Sequence, residues 1–134
     1  MRAKSGSGAF DKIRRRADFV AAARGARWNE AGFGLQMRPR PDLVDEGRPR
    51  FGITVTKKTA PRAVDRNRMR RRVREALRLG AAFGGKPGHD YVIVVRGELL
   101  SMPFPALRDQ LAAAIDGLSK RPPRGRDAKR PRAP

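Results

Sequence analysis

The stretch Arg50 to Arg78, RFGITVTKKTAPRAVDRNRMRRRVREALR, decides how this chain folds. Its opening residues alternate: Phe51, Ile53 and Val55 face one way, Gly52, Thr54 and Thr56 the other. That period of two predicts a half-buried strand over Arg50–Thr56 with its polar side left open for a ligand. Lys57 and Lys58 end the strand. Thr59 then stands where it can cap a helix, with Pro61 tolerated in the first turn. The pattern predicts a helix to about Leu79, stopped by Gly80. Met69, Val73, Ala76 and Leu77 recur at helical spacing and form its buried stripe.

The rest of that helix is cationic. Arg62 to Arg78 holds eight arginines against Asp65 and Glu75. At ~100° per residue, Asn67, Arg71, Arg74 and Arg78 fall opposite the stripe. Arg70 lies to one side, Arg68 and Arg72 to the other. A solvated face mixes signs, with acids four residues from arginines. Glu75 and Arg71 make one such pair, which leaves the others uncompensated. Guanidinium rows ~5–6 Å apart suit successive phosphates of a folded nucleic acid.

Composition extends the argument to the whole chain. Thirty-two Lys and Arg against thirteen Asp and Glu give a net charge of +19 over 134 residues, an imbalance that a polyanion relieves. The absence of cysteine excludes disulfides and thiolate metal sites and agrees with a reducing, cytoplasmic setting. No apolar run reaches the ~18–20 residues that would span a bilayer, and the N-terminus lacks a secretory apolar region.

Working outward, the flanks supply the rest of an α/β sandwich. Arg16 to Arg24 reads as a short helix with Phe19, Val20 and Ala23 on one face, ended by Gly25. A short strand is expected around Arg27 and another over Phe33–Arg38, before Pro39 and Pro41. After a glycine-containing loop over Ala81–His89, Tyr91 to Val95, YVIVV, reads as a strand covered on both faces. Leu107, Leu111, Ala114, Ile115 and Leu118 mark a last amphipathic helix begun near Pro103 or Pro105. Residues 1–15 read as a flexible basic segment and 16–119 as the folded domain. Residues 120–134, KRPPRGRDAKRPRAP, read as a disordered basic tail.

Thr54, Thr56, Lys57 and Lys58 make a polar, cationic strip on the open sheet face, which Phe19 can border. Aromatic rings beside a cationic groove suit unpaired nucleotides. Phe33 has the same option, but reads better as core.

The run Arg50–Arg78 resembles the signature of the ribonuclease P protein family. The matching pieces are Gly52, the strand ending in Lys57-Lys58, Ala63, the Arg66-Asn67-Arg68 motif, and Arg70-Arg71 followed by Arg74-Glu75. Asp18-Phe19 and Asp90-Tyr91-Val92-Ile93-Val94-Val95-Arg96 match the family's first helix and last strand, so the likeness spans about Ala17 to Leu118. Three departures are Ala23 and Gln36 where members carry aromatics, and Pro61-Arg62 in place of a Gly-Asn.

The resemblance implies a two-layer α/β (α+β) sandwich of the ribosomal-protein-S5-domain-2-like kind. It has a mixed sheet of about four strands, three helices and a left-handed strand–helix–strand crossover, against the general right-handed rule. It implies a protein subunit that assembles with a catalytic RNA and helps it remove the 5′ leader of precursor tRNA, with Mg²⁺ used by the RNA. Arg62, Arg66, Asn67, Arg68, Arg70, Arg71 and Arg74 then become the RNA-subunit face, and Phe19, Thr54, Thr56, Lys57 and Lys58 the leader side. No catalytic residue, protein-bound metal, membrane or obligate protein partner is expected.

Two other classes compete. An autonomous metal-dependent nuclease wants clustered carboxylates or histidines. Here the acids are scattered and His89 is the single histidine. A structural RNA-binding protein, such as a ribosomal component, or an architectural DNA binder shares the charge and size. Only the motif in its strand–helix setting separates those from the first reading.

Overall fold

Five strands and three helices follow one another through residues 10–40 and 47–120, the residues that the computed structural model describes. They are β1 (Asp11–Lys12), α1 (Arg16–Ala23), β2 (Ala26–Asn29), β3 (Phe33–Pro39), β4 (Arg50–Thr54), α2 (Ala63–Arg78), β5 (His89–Val95) and α3 (Phe104–Ser119). The expectations for residues 1–9 and 121–134 lie outside the described residues, as does the connection at 41–46.

The strands form one mixed sheet in the order β1-β4-β5-β3-β2. β4 runs parallel to β5, so β4, α2 and β5 make the expected strand–helix–strand unit between adjacent strands. β5 pairs antiparallel with β3 on its other side, and β3 with β2. This central position explains the unbroken apolar run of β5. Tyr91, Ile93 and Val95 enter one core, while Val92 and Val94 turn to the opposite face. The register builds cross-strand rows on the core face, of which Ile53, Ile93 and Leu35 form the middle one.

α2 and α3 cover that face. Met69, Val73, Ala76 and Leu77 bury as their spacing predicts, and so do Leu107, Leu111, Ala114, Ile115 and Leu118. Phe33 is fully buried in the same core. Tyr91 anchors one end: its ring stacks on Phe51 at 5.0 Å, and Phe10 meets Phe51 edge-on at 5.2 Å. The Tyr91 hydroxyl accepts from the Lys86 N–H (2.8 Å) and lies 2.6 Å from Ser119 Oγ, which donates to the Ile115 carbonyl. Burial pushes the Tyr91 hydroxyl pKa up, against the opposing effect of these hydrogen bonds. Among the described residues, α1 is the one helix on the other face, over Val92 and Val94.

Four features differ from the sequence reading. The sheet has a fifth strand, because Asp11 and Lys12 pair parallel with Arg50 and Phe51. Hydrogen bonds from Asp11 N to Pro49 O (2.9 Å) and Ile13 N to Phe51 O (3.1 Å) hold it, and Ile13 is buried. The fold thus begins before residue 16, and Phe10–Arg15 belong to it. α2 starts at Ala63 rather than after Thr59: Arg62 at the N-cap is extended (φ −88°, ψ 135°). Pro61 disfavours helical backbone at the preceding residue, so Thr59 closes a turn instead, its N–H donating to Thr56 Oγ1 (3.1 Å). β4 accordingly stops at Thr54, short of Thr56. Finally, Ala81–Gly84 is a 3₁₀ turn and His89 opens β5, buried, where a loop was expected.

Candidate nucleic-acid interface

The open sheet face is organised by register. β4, β5 and β3 align Arg50, Asp90 and Arg38 in one row, then Gly52, Val92 and Gln36, then Thr54, Val94 and Gly34. The first row is an ion cluster. Asp90 has no exposed surface; it accepts from Arg50 Nε and Nη2 (both 2.8 Å), Arg40 Nη1 (2.9 Å) and Arg38 Nε (3.3 Å). Burial is the largest single influence on this carboxyl and would raise its pKa. The hydrogen bonds and charges of Arg50 and Arg40 together outweigh it and hold the pKa below the ordinary carboxylate value. The hydrogen bond to Asp90 in turn raises the Arg50 pKa.

Asp18 joins this cluster from α1, with Arg38 Nη2 at 2.9 Å and Arg50 Nη2 at 3.3 Å. It therefore ties α1 to two strands at once. One residue on, Phe19 lies over Gly52, where a side chain would collide with its ring. Beside that contact, between α1 and the sheet, lies a groove of about 610 Å³. Phe19, Val20 and Ala23 line it from α1, Gln36, Thr54, Val92 and Val94 from the sheet, and Arg14, Arg16 and Arg70 add positive charge at its walls.

The groove brings together two of the five predicted leader-side residues, Phe19 and Thr54, both half-buried. Thr56, Lys57 and Lys58 are exposed in the turn after β4 and do not line it. Arg14, Arg16 and Gln36 are lining residues that the sequence reading left unassigned. The run Arg14-Arg15-Arg16 just before a predicted helix was the available signal for the first two.

The arginines of α2 separate into two kinds. Arg72 reaches inward and donates to the Leu100 (3.3 Å) and Met102 (2.6 Å) carbonyls. Arg66 Nη1 donates to the Ala60 (2.9 Å) and Pro61 (2.8 Å) carbonyls, fastening the entry to the helix. Arg78 pairs with Glu75, the acid expected to pair with Arg71. The i,i+3 partner wins here, which frees Arg71. Arg62 is exposed at the N-cap, 3.9 Å from Asp65. Asn67, Arg68, Arg71 and Arg74 are exposed, and no side chain among the described residues pairs with them. Arg70 is half-buried and lines the groove.

Such an arrangement can hold phosphates on one surface and unpaired nucleotides in another. Among the described residues, no group of three or more His, Asp or Glu side chains could hold a metal ion, and no helix is long and apolar enough to cross a membrane.

Comparison with known proteins gives one consistent result. The family model described as Ribonuclease P matches residues 9–119. The chain is 38% identical over 110 residues to the ribonuclease P protein component of Caulobacter vibrioides, covering 82% of this chain and 72% of that one. It is 36% identical over 115 residues to that of Brucella suis, covering 82% and 81%. Among solved structures it is similar to the RNase P protein from Thermotoga maritima, with a TM-score of 0.66, 25% identity, and coverage of 80% of this chain and 96% of that one. The Staphylococcus aureus RNase P protein shares the fold at a TM-score of 0.60 and 22% identity, covering 81% and 92%. A match across nearly the whole described chain, with the arginine helix and the groove inside it, means that this chain belongs to the ribonuclease P protein family.

Proposed function

We propose that the chain is the protein subunit of ribonuclease P, assisting endonucleolytic removal of the 5′ leader from precursor tRNA in the cytoplasm. Its outer α2 surface, with Arg62, Arg66, Asn67, Arg68, Arg71 and Arg74, holds the catalytic RNA. The groove between α1 and the sheet takes the single-stranded leader, with Phe19 as stacking partner and Thr54 and Arg70 beside it. Thr56, Lys57 and Lys58 act as a cationic rim where the strand enters or leaves.

The observation that carries this reading is the division of labour within one helix. Arg68, Arg71 and Arg74 are exposed and have no side-chain partner among the described residues, while Arg70 joins Phe19 at the groove. A protein that gripped one folded RNA alone would need the first surface and not the second.

Hydrolysis is assigned to the RNA subunit and its Mg²⁺. Asp18, Asp90 and Glu75 are engaged by arginines, and the described carboxylates and His89 form no group of three that could hold that ion. The isolated protein is therefore expected to be inactive, and no further protein partner is required. Reconstitution tests this: precursor tRNA with catalytic RNA alone, protein alone, and both together at low Mg²⁺. Stimulation only in the combined reaction supports the proposal. Leader removal by RNA-free protein would overturn it, and binding without stimulation would favour a purely structural RNA-binding role.

A further inference from the structure

A second basin opens on the far side of the groove's basic wall. It measures about 550 Å³ and is lined by Phe10, Asp11, Lys12, Arg14, Arg15 and Arg50. That volume lies within the ~300–1,000 Å³ typical of small-ligand sites. Arg14 lines both cavities, so the two adjoin across a single residue.

The charges in this basin are unevenly committed. Arg50 is a wall rather than a ligand, because its donors go to Asp90 and Asp18. Asp11, the basin's acid, lies 3.7 Å from Arg48. Lys12, Arg14 and Arg15 are exposed, and none has a side-chain partner among the described residues. Three cations thus face one hollow whose lining acid, Asp11, already has Arg48 beside it. The backbone that carries them is fixed by the β1–β4 pairing, and the Phe10 ring is held against Phe51. A half-buried aromatic beside cations carried on a paired backbone offers both a stacking surface and phosphate contacts, the combination that suits a nucleotide of a single strand.

We propose that this basin is a further nucleotide subsite, holding a phosphodiester and base of the same RNA strand that occupies the groove, with Arg14 as the residue over which the strand passes. The proposal rests on the leader-binding reading of the groove. It adds a second, separate foothold for that strand at the β1 edge of the sheet.

The test uses holoenzyme reconstituted from the full chain and the catalytic RNA, with precursors whose leaders are lengthened one nucleotide at a time. Affinity should rise in two stages, the first for the groove and the second for the basin. The double variant Lys12→Ala/Arg15→Ala should remove the second stage, a loss of at least about fivefold for long leaders, and leave short leaders unaffected. The salt dependence of the second stage should steepen by about 0.7 log–log units per phosphate held. Arg14→Ala should weaken both stages. If the double variant follows wild type at every length, the basin is not a subsite, while a normal first stage would leave the groove assignment standing. If wild type gains nothing from any leader, both assignments fall.

Discussion

The ring of Phe19 rests directly on Gly52: a Cβ at that glycine would stand 2.5 Å from Phe19 Cε1 and 2.6 Å from Cζ. Real side chains do not approach so closely, so any larger residue at 52 must displace the Phe19 ring. Gly52→Ala is therefore expected to cost about 1–3 kcal/mol of stability and to widen or tilt the groove. Thermal unfolding reads the first effect, and the ratio of precursor to mature tRNA affinity reads the second. An alanine variant with wild-type stability and wild-type ratio would show that this contact does not set the groove.

Phe19→Ala leaves the backbone free to stay in place and removes only the stacking surface. Discrimination between precursor and mature tRNA should fall by about 1–3 kcal/mol, while affinity for the catalytic RNA is largely spared. Equal losses for both tRNAs would point to misfolding, which circular dichroism would detect.

The arginines of α2 give a prediction with a built-in control. Arg68→Ala and Arg71→Ala should each flatten the salt dependence of RNA-subunit binding by roughly one unit in the log–log slope. Arg72→Ala should leave the slope unchanged and lower stability instead, because its guanidinium serves the Leu100 and Met102 carbonyls. Identical slopes for all three variants would erase the distinction between outward and inward arginines.

Asp90 makes acid stability predictable. Its folded pKa is depressed below the ordinary 3.8, so its contribution is fully present above that value and is lost as pH falls through the folded pKa. Denaturation midpoints should thus hold between neutral pH and about 5, then decline below about 4. Asp90→Asn leaves buried Arg40 without its counter-charge, while Arg38 and Arg50 keep Asp18; it should cost about 3–5 kcal/mol at pH 7, with a shallower acid decline. A variant as stable as wild type would mean that the cluster contributes little.

Gly117, inside α3, tests packing on the other face. In a helix interior alanine usually outperforms glycine by ~1 kcal/mol. Here a Cβ would meet the Trp28 ring at 2.5 Å, so Gly117→Ala should destabilise instead. A raised melting temperature would contradict the contact.

Much of this architecture was legible in the residues, and the exceptions have physical reasons. The stripes of α2 and α3 were readable because helical periodicity accumulates over sixteen residues in each. β1 was not, because two residues cannot display an alternation. The row Arg50–Asp90–Arg38 depends on strand register, which brings together residues forty and fifty-two positions apart. Phe19 and Thr54 were recognisable from residue type and spacing. Thr56, Lys57 and Lys58 were carried past the groove by a turn that the pattern at Pro61 only partly announced. The inward role of Arg72 requires the carbonyls of Leu100, in the Gly97–Ser101 turn, and of Met102 just after it, and nothing in its own neighbourhood signals them.

Arg70 and Arg71 are consecutive yet address different ligands in the proposed complex, so one rigid rod reports on two occupancies. Any tilt that improves the grip on the ribozyme is transmitted, without an intervening hinge, to the wall beside the substrate. By linkage, whatever factor the bound tRNA precursor adds to ribozyme affinity, the ribozyme must return to the precursor. Assembly and substrate choice in this protein are then one equilibrium seen from two sides.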